Sequence, residues 1–140
     1  MNKQLFTNSI TINASKDLAR QILVDPLQLL KWVPEITAVD QGHRSFIVTR
    51  AQAALNQREV MTVEEVSDRI IYHSRQGRFE YDLVFTLQQV ANNRLQLTEA
   101  LMTDESKTKL PLKLLAPIAK HALKINLKNL GLLIERVTVA

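Results

Sequence analysis

Glu99 is the residue of this chain whose setting most demands a chemical explanation. It stands in the run LQLTEALMT, in register with Leu95, Leu97 and Leu101 on the apolar side of an alternating pattern. An ionised carboxylate there is costly unless it is paired. In a pocket it would bind a polar ligand group, or serve as an acid or base with a raised pKa. A twist that carries it to solvent, or a structural partner such as Arg50, would account for it without function. Tyr72 and Tyr81 each bring an apolar body and a polar tip to an inward position. Asn8 shares its side with Phe6 and Ile10, where its amide would bond a ligand or satisfy a nearby backbone group. His73 falls on the opposite face from Tyr72 and reads as a surface histidine. No Ser, His and acid form a recognisable nucleophilic motif, and no Gly-rich phosphate loop occurs. There are no cysteines, and the three histidines, His43, His73 and His121, lack ligand-like spacing. Thiolate metal sites, disulfide scaffolds and a cysteine nucleophile are therefore excluded, and no metal or cofactor is expected.

Something must hold these residues in place. The chain has 140 residues, 46% of them hydrophobic and 23% charged, which suits one globular domain over 1–140. The net charge is +4, with the lysines concentrated in the last third. No apolar run reaches the roughly 20 residues that span a bilayer. MNKQLFTNSI lacks the apolar core of a signal peptide, so the cytoplasm is the expected compartment.

Residues 4–13 alternate as a strand. Ser15 is the expected N-cap of a helix with Asp17 in its first turn and Leu18, Ile22 and Leu23 on its apolar face. Asp25-Pro26 starts a second short helix bearing Leu27, Leu29, Leu30 and Trp32, and Pro34 ends it. The period then changes to two. Strands are expected near 36–41, 44–53, 57–66, 69–76, 78–89 and 94–103, with short turns that make an antiparallel meander. Gly42 and Gly77 fall at two of those turns. Phe79, Tyr81, Leu83, Phe85 and Leu87 give the clearest one-sided face. After the polar loop 104–110, a long helix is expected over 111–137. Ala116, Ala119, Leu123, Leu127, Leu130 and Ile134 share one face of it.

This order of elements resembles the helix-grip fold of the START/SRPBCC superfamily, in its birch-allergen-like, polyketide cyclase/dehydrase and lipid-transport branch. ITINASKDLARQILVDPLQLLKWVPEI is similar to that branch's opening, through Asp25-Pro26 and Trp32-Val33-Pro34. The long last helix with Leu127, Leu130 and Glu135 is similar to its end. The resemblance implies an α+β domain: a curved antiparallel sheet of about seven strands around a C-terminal helix, with two short helices after the first strand. It also implies a cavity for a hydrophobic small molecule between sheet and helix, and places Trp32 near its mouth; the other reading of Trp32 is a plug packed into the end of the core.

The expected lining is Asn8, Trp32, Tyr72, Phe79, Tyr81, Leu83, Phe85, Leu97, Glu99, Leu123 and Leu127. Binding or carriage of a lipid, quinone or polyketide-like molecule is the expected function. The alternatives are a cyclase/dehydratase using Glu99 and Tyr81 as acid and base, or a lipid or quinone chaperone that docks through its last helix. That helix carries Lys113, Lys120, Lys124 and Lys128 on one side, and Leu114, Ile118, Ile125 and Leu132 opposite the core stripe. Such a surface suits a homodimer or a peripheral membrane contact, unless the loop 104–110 or strand ends cover it. The lack of Trp or Phe in the helix favours the dimer. The lack of aromatics among the lysines disfavours single-stranded nucleic acid.

Overall fold

The computed structural model describes residues 2–52 and 54–139. Alternation becomes strand as expected: β1 (Lys3–Ile12), β2 (Ile36–Gln41), β3 (Phe46–Arg50), β4 (Arg58–Val66), β5 (Arg69–Arg75), β6 (Tyr81–Ala91) and β7 (Arg94–Thr103). They form one seven-stranded sheet in the order β1-β7-β6-β5-β4-β3-β2, and every pairing is antiparallel. β2 to β7 make the meander, and β1 adds to its far edge beside β7. The chain must therefore cross from one sheet edge to the other between β1 and β2.

The short helices make that crossing. In α1 (Lys16–Leu23), the Ser15 hydroxyl accepts from the Leu18 N–H, and Ala19, Ile22 and Leu23 are buried. Asp25 caps a single 3-10 turn, Pro26–Gln28, which runs into α2 (Leu29–Trp32). Only Leu29 and Trp32 of the second helix's expected apolar set are buried; Leu27 and Leu30 are exposed. Trp32 plugs this end of the core, edge-on to Phe85 at 6.0 Å. Tyr72 packs against the same ring at 5.6 Å.

Gly42 and Gly77 fall at turns as expected. Positive φ is taken by Ser67, Gln76 and Asn93, and by neither Gly42 nor Gly77. Gly77 serves close approach instead, because a Cβ there would lie 2.7 Å from the Asn56 side chain.

The last helix, α3 (Leu112–Val139), is held unevenly. Its C-terminal half is core: Leu127, Leu130 and Ile134 are wholly buried, and Gly131 lets the helix axis sit directly on Ile10 and Ile12 of β1. Asn129 donates to the Trp32 carbonyl, and the Glu135 carboxylate accepts from the Asn13 N–H. Between 113 and 125 no residue is fully buried, so Ala116, Ala119 and Leu123 of the expected stripe are only partly covered. Leu114, Ile118, Ile125 and Leu132 are exposed, so neither the loop 104–110 nor a strand end covers them. Leu130→Ala should cost about 2–5 kcal/mol in urea unfolding, by cavity formation. Leu132→Ala, two residues away, should change stability by less than about 0.5 kcal/mol. Equal losses at the two positions would contradict this packing.

Candidate functional site

Where α3 stands off the sheet, a cleft of about 840 Å3 opens. The sheet supplies Arg50 at the end of β3, Glu59 on β4, Tyr81 on β6 and Leu101 on β7. The connection ahead of β6 supplies Phe79, whose ring stacks on Tyr81 at 5.5 Å. The helix supplies Leu115, Ile118, Ala119, Ala122 and Leu123. The cleft thus has one apolar wall on α3 and a sheet wall that carries polar groups.

Those polar groups form a network around Glu59. This carboxylate has no exposed surface. Its Oε1 accepts from Arg50 Nη2 at 2.9 Å and from the Tyr81 hydroxyl at 3.1 Å, and its Oε2 accepts from Asn56 Nδ2 at 2.8 Å. Arg50 also donates to Glu35 at 2.8 Å and to the Tyr81 oxygen at 3.3 Å. Asn56 is fixed from behind by the Phe79 backbone, donating to its carbonyl at 2.7 Å and accepting from its N–H at 2.8 Å. Burial opposes the Arg50 charge, but Tyr81, Glu59 and Glu35 outweigh it and hold the guanidinium above the usual arginine range. Burial lifts the Tyr81 phenol well above the usual tyrosine value, with Arg50 pulling the other way and Glu59 adding to the rise. Tyr81 is therefore a neutral hydroxyl at physiological pH and donates to Glu59.

The structure separates the sequence-derived site residues. Phe79, Tyr81 and Leu123 line the cleft. Leu83, Phe85, Leu97 and Leu127 lie deeper along the sheet and helix, buried in the packed core and outside the cleft lining. The reason is geometric: the helix meets the sheet there and leaves it only toward Leu112. Tyr72 spends its hydroxyl on the Leu23 carbonyl, and burial raises its pKa far above the usual value. Trp32 is core rather than mouth, with its indole N–H buried and unpartnered among the described residues. His73 stays on the outer face, as expected, bridging Asp82 and Glu64 at 2.8 Å each.

Glu99 faces inward as the alternation predicts, but Arg50 is not its partner, since Glu59 and Glu35 hold that guanidinium. Glu99 pairs instead with Asn8, the residue opposite it on β1. Asn8 Nδ2 donates to Glu99 Oε1 at 3.1 Å and to the Lys120 carbonyl of α3 at 3.0 Å, tying both strands to the helix. Glu99 Oε2 is buried without a partner among the described residues. Burial raises this carboxyl to about 7, against the opposing pull of Asn8. Glu99 and Tyr81 are not brought together. Glu99 lies opposite Phe85, four residues along β6 from Tyr81, which is roughly 13 Å of strand.

The Arg50–Glu59–Asn56 network was missed in the sequence, although a signal for it exists. Glu59, Met61 and Val63 alternate inward on β4 as Leu97, Glu99 and Leu101 do on β7, so the same argument applied to Glu99 would have found it. No group of three or more His, Asp or Glu side chains suited to a metal ion is present among the described residues.

No family model matches this chain, and no curated protein matches it. Solved structures do. A START superfamily protein from Mycobacterium smegmatis superposes with a TM-score of 0.77 at 17% identity, covering 97% of this chain and 100% of its own. A conserved protein from Geobacillus kaustophilus gives 0.72 at 15% identity, covering 97% and 96%. The Bacillus cereus protein XoxI gives 0.72 at 14% identity, covering 92% and 94%. The fold of this chain is the START/SRPBCC helix-grip fold.

The Glu99 setting has a definite pH signature. A carboxyl raised on folding contributes its full stability below the unfolded pKa, near 4.5, and loses it as pH rises through about 7. The loss should approach roughly 3 kcal/mol at pH 8. His73, also raised by Glu64 and Asp82 against the effect of burial, loses stability in the same direction above its ordinary pKa of 6.5. Comparing the wild type with Glu99→Gln isolates the carboxyl. The variant should be the more stable protein at pH 8 and close to wild type at pH 5. Parallel stability curves for the two proteins from pH 5 to pH 8 would show that Glu99 does not titrate in this window.

Proposed function

We propose that the protein binds a hydrophobic small molecule in the cleft under the N-terminal half of α3 and carries it unchanged. The observation that carries this reading is the composition of the cleft. Its volume of about 840 Å3 lies within the range of small-molecule sites. Leu101, Leu115, Leu123 and Phe79 offer apolar surface, while Tyr81, Arg50 and Asn56 are held in fixed orientation along one wall. Such a site suits an elongated apolar body with a small polar end: a lipid, a quinone or a polyketide-like molecule. The START superfamily fold supports the same direction, since the resemblance implies a cavity for such ligands.

Carriage is favoured over catalysis by the state of the candidate acid and base. A general acid or base works best with a pKa near the working pH. Tyr81 is pushed far from it and is already engaged by Glu59 and Arg50. Glu99 has a suitable value but does not line the cleft. Compartment and domain extent follow the sequence reading: one cytoplasmic domain over 1–140.

Leu123→Trp places a large side chain on the apolar wall of the cleft from a half-buried position. It should weaken binding of a fluorescent fatty-acid probe by tenfold or more while leaving the melting temperature within a few degrees of wild type. Native mass spectrometry of protein purified from its own source should show a retained apolar adduct, lost in the variant. Undiminished probe binding by Leu123→Trp would remove the cleft as the site.

A further inference from the structure

We propose that the outer face of α3 is a docking surface for an anionic lipid bilayer, seated through Leu114, Ile118, Ile125 and Leu132 and steered by the lysines beside them. The four apolar side chains step by four, seven and seven residues, so they form one line along the helix. All four are exposed, Leu114 to 73% and Ile118 to 68%. Water-exposed apolar side chains in such a line call for a cover. No helix among the described residues is long and apolar enough to cross a membrane, so α3 would lie along the interface rather than span it.

Charge decides the occupant. Lys120, Lys124 and Lys128 step by four along one flank of the stripe and are exposed, with Lys113 about two turns before them. From Leu112 to Ile134 the helix has no acid. A two-fold contact between copies through this stripe would bring two rows of lysines together with no carboxylate between Leu112 and Ile134 of either helix to pair them, and Glu135 beyond that stretch is engaged by the Asn13 N–H. An anionic headgroup layer pairs them at once, at about 1 kcal/mol for each lysine near the surface. The earlier preference for a dimer rested on the absent aromatics. That absence weakens membrane anchoring but does nothing to relieve the repulsion between copies.

The second support is where the stripe leads. Ile118 belongs both to the exposed line and to the cleft lining, beside Leu115 and Ala122. Apolar surface therefore runs without interruption from the outer face of α3 into the cleft mouth. A bilayer seated on the stripe would lie against that mouth. The docking surface goes beyond the carrier reading and stands separately from it, because its residues bind lipid headgroups and acyl chains whether or not the cleft is filled.

Full-length protein should pellet with vesicles of phosphatidylcholine and phosphatidylglycerol in equal parts, and this should weaken with added salt. It should not pellet with pure phosphatidylcholine. Lys120→Gln with Lys124→Gln should lower the partition coefficient roughly thirtyfold. Ile125→Ser with Leu132→Ser, both outside the cleft lining, should lower it at least tenfold, with circular dichroism and the melting temperature unchanged, as expected for surface positions. Equal pelleting with neutral and anionic vesicles would overturn the proposal, as would undiminished binding by both double variants. So would a sedimentation mass of two chains that falls to one in Ile125→Ser with Leu132→Ser. Failure of the cleft to bind the fatty-acid probe would leave these outcomes unmoved, so the two readings fail separately.

Discussion

The seat of α3 on β1 sets the rest of the structure. Gly131 brings the helix backbone onto Ile10 and Ile12, and Leu127, Leu130 and Ile134 lock that contact by complete burial. A straight helix laid on a curved, twisted sheet cannot follow it for 28 residues. Where one end is fixed by close packing, the other must diverge. The cleft is the divergence. Its walls carry half-covered Leu115, Ala119 and Leu123 on the helix, with half-covered Tyr81 and buried Phe79 and Leu101 below. Leu114 and Ile118 stay out of the core because they face away from it, and Ile118 also reaches the cleft lining, so the apolar cleft and the exposed stripe share a boundary.

Two buried carboxylates show how far the same sequence pattern can lead to different physics. Glu59 and Glu99 both alternate inward in step with apolar residues, Glu59 ahead of Met61 and Glu99 between Leu97 and Leu101, and neither has exposed surface. Glu59 receives hydrogen bonds on both oxygens from Arg50, Tyr81 and Asn56, so its charge is compensated. Glu99 receives one, from Asn8, and keeps an orphaned oxygen. Unpaired burial disfavours the charged form, and the proton is held to higher pH. The difference lies in the partner strands. Glu59 stands one strand from Arg50, at the open end of the sheet, whereas Glu99 lies between β1 and β6 with Asn8 and Phe85 opposite it. Sequence periodicity identifies the inward side of a strand but carries no information on which cross-strand neighbour can reach it.

That limit explains what was legible. The order of elements followed from periods of two and 3.6, and strand bounds came out within a few residues because each turn is short and polar. Asn8, Glu99 and Tyr81 were correctly turned inward for the same reason. The extent of the cavity was not legible, since Leu97 and Leu123 are both inward on apolar faces. One is solid core and the other is cleft wall only because of the angle at which α3 leaves the sheet. Trp32 and Tyr72 look like pocket residues in sequence, being aromatic with polar tips. Their roles are set by α1 and α2 crossing the open end of the core, where Tyr72 meets the Leu23 carbonyl and Trp32 meets Phe85. The short turns fall where the alternation breaks, at Ser67-Asp68 and at Asn92-Asn93 among others, and Ser67, Gln76 and Asn93 take left-handed φ at such breaks.

The entrance is also the part of the molecule with the least holding it. Local stability follows buried apolar contact, and from 113 to 125 α3 has no fully buried residue. Pro117 removes one more tie, because it has no N–H to return to the Lys113 carbonyl. What remains is Leu112, buried at the start of the helix, the partial cover of Ala116, Ala119 and Leu123, and the Asn8 bond to the Lys120 carbonyl. Asn8 is in turn bound by Glu99, a buried carboxyl whose second oxygen has no hydrogen-bond partner among the described residues. The residue that first stood out in the sequence therefore acts through the helix rather than through the cleft. Its hydrogen bond steadies Asn8, and Asn8 steadies the middle of α3 at the point where the packed half of the helix ends and the cleft wall begins.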